Sequence, residues 1–493
     1  MTTPQHYLYL PEQTRELDRI AIEDCGVPGY TLMQRAGAAA YELLRKRWPD
    51  ARRLAIVCGV GNNAGDGYVI GRLALQDGFH VDLLGLGDPA KLRGDARTAH
   101  DDYLAVGGSV LAFDSRQLAK CDVIVDAVFG TGLDREVEGA WAEAVAAINA
   151  TECPVLAVDI PSGLHGARGT VLGHAVHAEV TATFIGRKAG LYTGAGPEHC
   201  GEIVFFDLAV PAEVYTRVAP FARLTGDEVR APLRRPRPRG AHKGLFGHVL
   251  VVGGDHGMGG AVRMAAEAAA RVGAGLTSVA TRSVHCAGLL SARPELMCHA
   301  LDSAQDLEPL LARASVVAVG PGLGRSAWAR GLLEAVLAFK GPLVVDADAL
   351  NLLSEAPRRN ARWILTPHPG EAARLLGCRA AQVQADRFAA AEALCNRYGG
   401  VVILKGAGTI VRSESGAIRV VSGGNPGMAS GGMGDTLTGV VAGLLAQGLD
   451  SDVAATMGAY LHAAAGDRAA AGQGERGLLA SDLLPHLRRL VNP

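Results

Sequence analysis

The sequence contains no CxxC pair, no GxxxxGK[ST] loop and no apolar run of roughly 18 residues. The first absence removes the common zinc and dithiol motifs, the second a P-loop, the third a membrane-spanning helix. The nine cysteines, at 25, 58, 121, 153, 200, 286, 298, 378 and 395, are odd in number and scattered. Reduced, partly buried thiols in a cytoplasmic protein are therefore expected, not a disulfide framework. The opening, MTTPQHYLYLPEQTRELDRI, lacks the basic start and long apolar stretch of a signal peptide. Charge excess is also missing: 48 basic and 50 acidic residues leave a net charge of −2. No global attraction to nucleic acid or anionic membrane follows, and neither is expected as a partner. Lysine is scarce, seven residues against 41 arginines. A lysine in this chain more readily has a specific reason.

What is present is ordinary globular composition, 48% hydrophobic and 20% charged, over 493 residues. That length is about three times a typical domain and buries a large core without disulfides. Glycine is abundant, at 64 residues without a collagen-like period. Loops and close backbone approaches are its expected places. Apolar runs at 54–59, 80–86, 122–129, 155–160, 179–186 and 202–207 alternate with helical segments such as 66–77 and 137–149. A second series runs through 248–253, 276–281, 315–320, 342–346, 363–366 and 401–411 and closes with a helix at 435–447. Both series predict α/β units with parallel sheets covered on both faces. Between them the texture changes. Three prolines and five arginines fall between 230 and 239. The segment 223–243 reads as an extended linker and domain entry between units 1–222 and 244–493. A basic tail for nucleic acid or an acidic partner is the alternative, but it lacks interleaved aromatics.

In the first half, strand 54–59 runs into GVGNNAGDGYVIG. Its glycines allow close ligand approach, and the following helix offers free N–H groups to an anion. The spacing is not a true GxGxxG. A turn capped by Asn62 or Asn63 explains the loop equally well. Asp126 ends DVIVD, and Asp159 and Ser162 follow VLAV. Ligands of open parallel sheets bind outside the carboxyl ends of strands, so these residues converge on one crevice. Amide, carboxylate and hydroxyl oxygens suit a hard cation. NNAGDG, DAVFGTGLDR and DIPSG, in this order, resemble the epimerase domain of NAD(P)H-hydrate repair enzymes over roughly 10–220. Ala64 stands where that family usually has glycine. The resemblance implies that Asn63, Asp126 and Ser162 hold K+. It also implies that Asn62, Asn63, Ala64, Gly65 and Asp66, with Gly130, Thr131, Gly132, Leu133, Asp134, Arg135 and Glu136, line a hydrate site. Asp159 then acts near the reacting carbon.

In the second half, NPGMASGGMGDTLTG puts Gly431, Gly432 and Gly434 before a helix, a candidate anion nest with Asp435 at its mouth. Taken alone, Asp435 reads first as an ordinary helix N-cap, which aspartate favours strongly. Lys405 follows a strand and precedes a glycine turn, where it could meet phosphate. His368 lies between two prolines, as a surface residue or a candidate base. HPGE, KGAGT and the long glycine motif together resemble NAD(P)H-hydrate dehydratases of the ribokinase-like superfamily over roughly 230–490. The resemblance implies that Ala261, Gly322 and His368 contact the hydrate. It assigns Lys405, Gly406, Ala407, Gly408, Thr409 and Gly434 to an adenine nucleotide, and Asp435 to the role of catalytic base.

The expected architecture is an N-terminal Rossmann-like three-layer sandwich and a C-terminal ribokinase-like α/β domain. The order of the two resembles bacterial bifunctional repair enzymes. That resemblance implies epimerisation of hydrated NADH or NADPH and dehydration of the S form. ADP is the implied co-substrate, with Mg2+, and a homo-oligomer is possible. A plain kinase for a small alcohol, a non-catalytic nucleotide-binding module and a nicotinamide-dependent oxidoreductase are the other readings.

Overall fold

Valine, isoleucine and leucine fill the short runs of the first half densely enough to bury both faces of a strand, as a parallel sheet requires. In the computed structural model, which describes residues 6–492, the chain divides after Arg223 into two compact units. The first unit holds strands β1 (Arg53–Cys58), β2 (His80–Gly85), β3 (Val110–Ala112), β4 (Val123–Ala127), β5 (Val155–Val158), β6 (Val180–Phe184) and β7 (Glu202–Phe206). Their order is β3-β2-β1-β4-β5-β6-β7, with every pair parallel. Alternate residues face opposite sides. Leu54, Ile56 and Cys58 enter one apolar cluster with helices α1 (Gly29–Arg47), α2 (Asn62–Gln76) and α3 (Gly94–Ala105). Ala55 and Val57 enter another with α4 (Gly139–Asn149). The result is the expected three layers. Strand order reverses between β1 and β4, which opens a crevice at their carboxyl ends. Gly67 lets α2 sit close there, since a Cβ at that position would lie 2.7 Å from Ala127 Cβ and from Cys58 Sγ.

The second unit holds β8 (His248–Val252), β9 (Leu276–Thr281), β10 (Met297–Ala300), β11 (Val316–Val319), β12 (Leu343–Val345), β13 (Trp363–Leu365), β14 (Val401–Leu404), β15 (Thr409–Ser413) and β16 (Ile418–Val421). The order is β10-β9-β8-β11-β12-β13-β14-β15-β16. The first seven run parallel and the last two pairings are antiparallel. Helices α5 (Gly259–Arg271), α6 (Pro369–Leu376), α7 (Met433–Ala446), α8 (Ser451–Gln473) and α9 (Leu483–Leu490) complete the parts used below. The alanine face of α5 and the buried α7 and α8 share one core. Gly439 permits their contact, because a Cβ there would meet Ala265 O at 1.9 Å.

Two expectations change. The run 401–411 is not one strand. Gly406 and Gly408, at φ +138° and +62°, turn the chain so that β14 and β15 form a hairpin with Lys405 at the bend. Nor is 223–243 extended throughout. Asp227–Arg234 forms a 3-10 helix, and Val229 and Leu233, four residues apart, pack on the second unit's core. Arg230 donates to Leu490 O at 2.7 Å. Two apolar side chains packed on the core outweighed the local signal of proline. No helix among the described residues is long and apolar enough to cross a membrane.

Candidate active sites

At the crevice of the first unit lies a cavity of about 630 Å3, lined among others by Asn62, Asn63, Asp66, residues 130–135 and Asp159. Ala64 is wholly buried instead, and Gly65 abuts Met33, whose Sδ a Cβ would meet at 2.5 Å. Glu136 is exposed outside the lining. Neither asparagine caps α2: Gly61 is its N-cap and no side chain bonds there. Both polar atoms of the Asn63 amide are buried without a partner. A Cβ on Gly130 would lie 3.5 Å from Asn63 Oδ1, so loop and helix start face each other.

Asp126 and Ser162 lie below this lining, fully buried. Ser162 donates to Asp126 through its Oγ at 2.6 Å and its N–H at 2.8 Å. Ser162 Oγ accepts from Phe129 N–H at 2.8 Å. Burial raises the Asp126 carboxyl to about 6, against the pull of the Ser162 and Val128 hydrogen bonds. Asp126 has no cationic side chain beside it among the described residues. A buried carboxylate without counter-charge and an orphaned amide oxygen are the donors a monovalent cation would satisfy.

Asp159 has φ +69°, a left-handed conformation that aspartate tolerates at a sharp turn. Its carboxylate pairs with the fully buried Lys188. That ammonium also donates to Thr183 Oγ1 at 3.1 Å and Phe184 O at 3.2 Å. Asp18 and Asp66 complete the group. Burial first, and then Asp159, raise Asp18 to about 7 against the pull of Lys188, and hold Asp66 well above the usual carboxylate range. Lys188 and Asp18 escaped the sequence reading. The scarcity of lysine was the only signal for the former.

In the second unit the strand ends carry an ion-pair cluster. Asp346, at the end of β12, is buried and accepts from Lys405 Nζ at 2.9 Å and Thr438 Oγ1 at 2.8 Å. Burial opposes its charge, but Lys405, Thr366 and Thr438 hold its pKa below the usual value. Burial likewise opposes the Lys405 ammonium, yet Asp346, Glu371 and Asp435 hold its pKa above the usual value. Lys405 is thus an internal counter-ion as well as a charge near the nest: a Cβ on Gly434 would lie 3.1 Å from its Nζ. Asp435 lies in the first turn of α7, whose N-cap is Gly432 at φ +89°. It is not the cap. Burial first, and then Asp346, raise its carboxyl to about 7 against the pull of Lys405, with Asp348 and Glu371 adding to the rise.

His368 is the N-cap of α6, and its Nδ1 accepts from Gly370 and Glu371 N–H groups. Burial and Lys405 lower its pKa. With Nδ1 accepting, a neutral ring carries its proton on Nε2, which lies 3.4 Å from Glu371 Oε1. Ala261 and Gly322 come together from α5 and the loop after β11, with the Ala261 Cβ 3.2 Å from where a Gly322 Cβ would lie. Gly406 and Gly408 form the hairpin bend, Ala407 lies between them, and Thr409 Oγ1 donates to Gly406 O at 3.0 Å. Sequence reasoning assigned no role to Asp346, Thr438 or His462. His462 Nε2 is buried without a partner, and burial pushes its pKa down to about 4. Among the described residues, no three His, Cys, Asp or Glu side chains converge as a metal site.

Fold and sites define a two-unit α/β enzyme with a Rossmann-like first unit and a ribokinase-like second. Residues 249–489 match the family model described as NAD(P)H-hydrate dehydratase, and residues 29–190 match that of the YjeF-related protein N-terminus. The chain is 51% identical to a bifunctional NAD(P)H-hydrate repair enzyme of Coxiella burnetii, covering 99% of both. It is 43% identical to the enzyme of that name from Escherichia coli, covering 99% of this chain and 94% of the relative. Among solved structures, a ribokinase-like superfamily protein from Enterococcus faecalis is similar with TM-score 0.50 and 31% identity, over 55% of this chain and 95% of that one. The chain belongs to the bifunctional NAD(P)H-hydrate repair enzymes.

Proposed function

We propose that the first unit interconverts the R and S epimers of hydrated NADH or NADPH and that the second dehydrates the S epimer, consuming ADP. The observation that carries the second half is Asp435. It is a carboxylate at a glycine-rich helix N-terminus, titrating at about 7 beside the Asp346–Lys405 pair. Hydroxide is a poor leaving group, so the hydroxyl is phosphorylated first. Asp435 takes the hydroxyl proton as the oxygen attacks the terminal phosphorus, and AMP leaves. The first-turn amides of α7 hold the transferring phosphoryl group. The ring nitrogen's electron pair then expels phosphate, and loss of a proton from the neighbouring carbon restores the double bond. Mg2+ arriving with the nucleotide would neutralise phosphate charge, with the phosphate oxygens as its main ligands. His368 Nε2–H, Ala261 and Gly322 position the hydrate.

In the first unit, Asp159 moves the proton near the reacting carbon while Lys188 holds it in place. Asp18, with a carboxyl at about 7, is suited to exchange that proton with solvent. Asn63, Asp126 and Ser162 would hold K+, which would supply the counter-charge Asp126 lacks. The substrates are cytoplasmic metabolites, which supports that location. The test incubates purified protein with mixed R and S hydrates plus ADP or ATP and follows the returning absorbance of the reduced nicotinamide. Full conversion supports both activities. Stable phosphorylated product would mean a plain kinase, and a halt when S hydrate is exhausted would remove the epimerase.

A further inference from the structure

The arginine-rich segment 230–239 takes no part in either site, and its place in the second unit gives it another use. Two adjoining cavities, of about 580 and 410 Å3, share Arg271, Arg488 and Asn492 in their walls. Together they are lined by seven arginines, at 235, 237, 263, 271, 293, 488 and 489, and by one acid, Glu267. A chain with net charge −2 thus concentrates cationic groups in one concave groove. Part of it is preorganised. The buried Glu267 accepts from Arg263 at 3.0 Å and Arg293 at 2.8 Å through one oxygen, fixing both guanidinium groups. Arg237 is pinned over the Phe246 ring at 3.6 Å and donates to Gly273 O and Gln447 Oε1. Arg235, Arg271, Arg488 and Arg489 form no ion pair among the described residues.

We propose that this groove binds a small polyanion carrying several phosphate groups. Guanidinium forks match phosphate oxygens in pairs, and facing arginines held in a concave site suit linked phosphates better than a single one. On α5 the groove's lining runs from Arg263, two residues past the proposed hydrate contact at Ala261 and so turned to another face of the helix, to Arg271, ten residues and roughly 15 Å away.

The full chain is titrated calorimetrically with inorganic tripolyphosphate and with orthophosphate, beside the double variant Arg271→Gln/Arg488→Gln. Wild type should bind one more equivalent of tripolyphosphate than the variant, at least about tenfold tighter than orthophosphate, the loss expected for one charge-assisted contact or more. A Lys/Lys variant at the same positions should bind with intermediate affinity, because charge remains and the fork is lost. Should the double variant fail to fold, Arg488→Gln alone, at an exposed position, carries the comparison. Equal stoichiometry in wild type and variant overturns the proposal. So does tighter binding of duplex DNA than of tripolyphosphate at equal salt, which would make the groove a nucleic-acid surface.

Discussion

Asp435 shows how one residue can serve catalysis against stability. Its ordinary carboxyl value is 3.8, and in the folded chain it is about 7. As a base it works only when ionised. The rate of dehydration should therefore rise with pH through about 7 and level off above it, measured on pure S hydrate with saturating ADP. The same shift has a thermodynamic side. A carboxyl raised on folding favours the fold while protonated, and that stability is lost as pH rises from about 4 through about 7. Asp435→Asn should thus raise the melting temperature more at pH 8 than at pH 5, while lowering the rate about 10²–10⁴-fold. Unchanged activity would leave Asp435 a bystander of the nest. In the first unit, Asp126→Ala should abolish the dependence of epimerisation on K+ and slow it, while S hydrate is dehydrated at the wild-type rate; the check is epimerisation by NMR with K+ and with a bulky organic cation. Asn63, Asp126 and Asp435 were legible because each follows an apolar run or a glycine cluster. Lys188, Asp346 and Thr438 were not. Their importance lies in partners 29, 59 and 92 residues away in sequence, which no local pattern encodes.

The central parallel strands were readable from local sequence, because burial on both faces forces continuous apolar runs. The strands at 297–300 and 418–421 were not. The residues of 297–300 are at most partly buried, and in 418–421 only Val420 and Val421 are buried, so neither run is continuously apolar. The hairpin at Lys405–Gly408 was masked for the opposite reason, being flanked by apolar residues on both sides. Helix α2 was legible from its glycines, and its packing yields a test. Gly67 touches β1 and β4 so closely that an added methyl would lie 2.7 Å from Ala127 Cβ and Cys58 Sγ. Gly67→Ala should destabilise the first unit by about 1–3 kcal/mol, the usual range for overpacking, and Gly67→Val by more. Since Asn63 begins the same helix, epimerisation should fall with it. Dehydration should not. Urea unfolding of the isolated first unit measures the former and single-turnover assays the latter.

At the scale of the molecule, two α/β units in one chain raise the question of whether one needs the other to fold. Three apolar clusters each lie on one side of the division: within residues 7–218 in the first unit, and within 229–491 in the second. Each unit thus holds an apolar core of its own among the described residues, and a domain of about 220 residues buries roughly 70% of its unfolded surface. The cut belongs after Arg223, not before it, because Arg223 pairs with Tyr7 in a short antiparallel ladder. The segment beyond it must stay with the second unit, where Val229, Leu233 and Arg230 are anchored. Fragments 1–223 and 224–493 should each unfold cooperatively. The first should epimerise hydrate without nucleotide, and the second should consume S hydrate with ADP and leave R hydrate untouched. Mixing them should restore complete conversion of a racemic hydrate, at a rate limited by free diffusion of the intermediate. A second fragment begun at residue 244 should be less stable than 224–493, because it loses the 3-10 helix that covers its core. If 1–223 aggregates while the full chain remains folded, the first unit depends on contacts its own clusters do not supply, and the two activities share a fold after all.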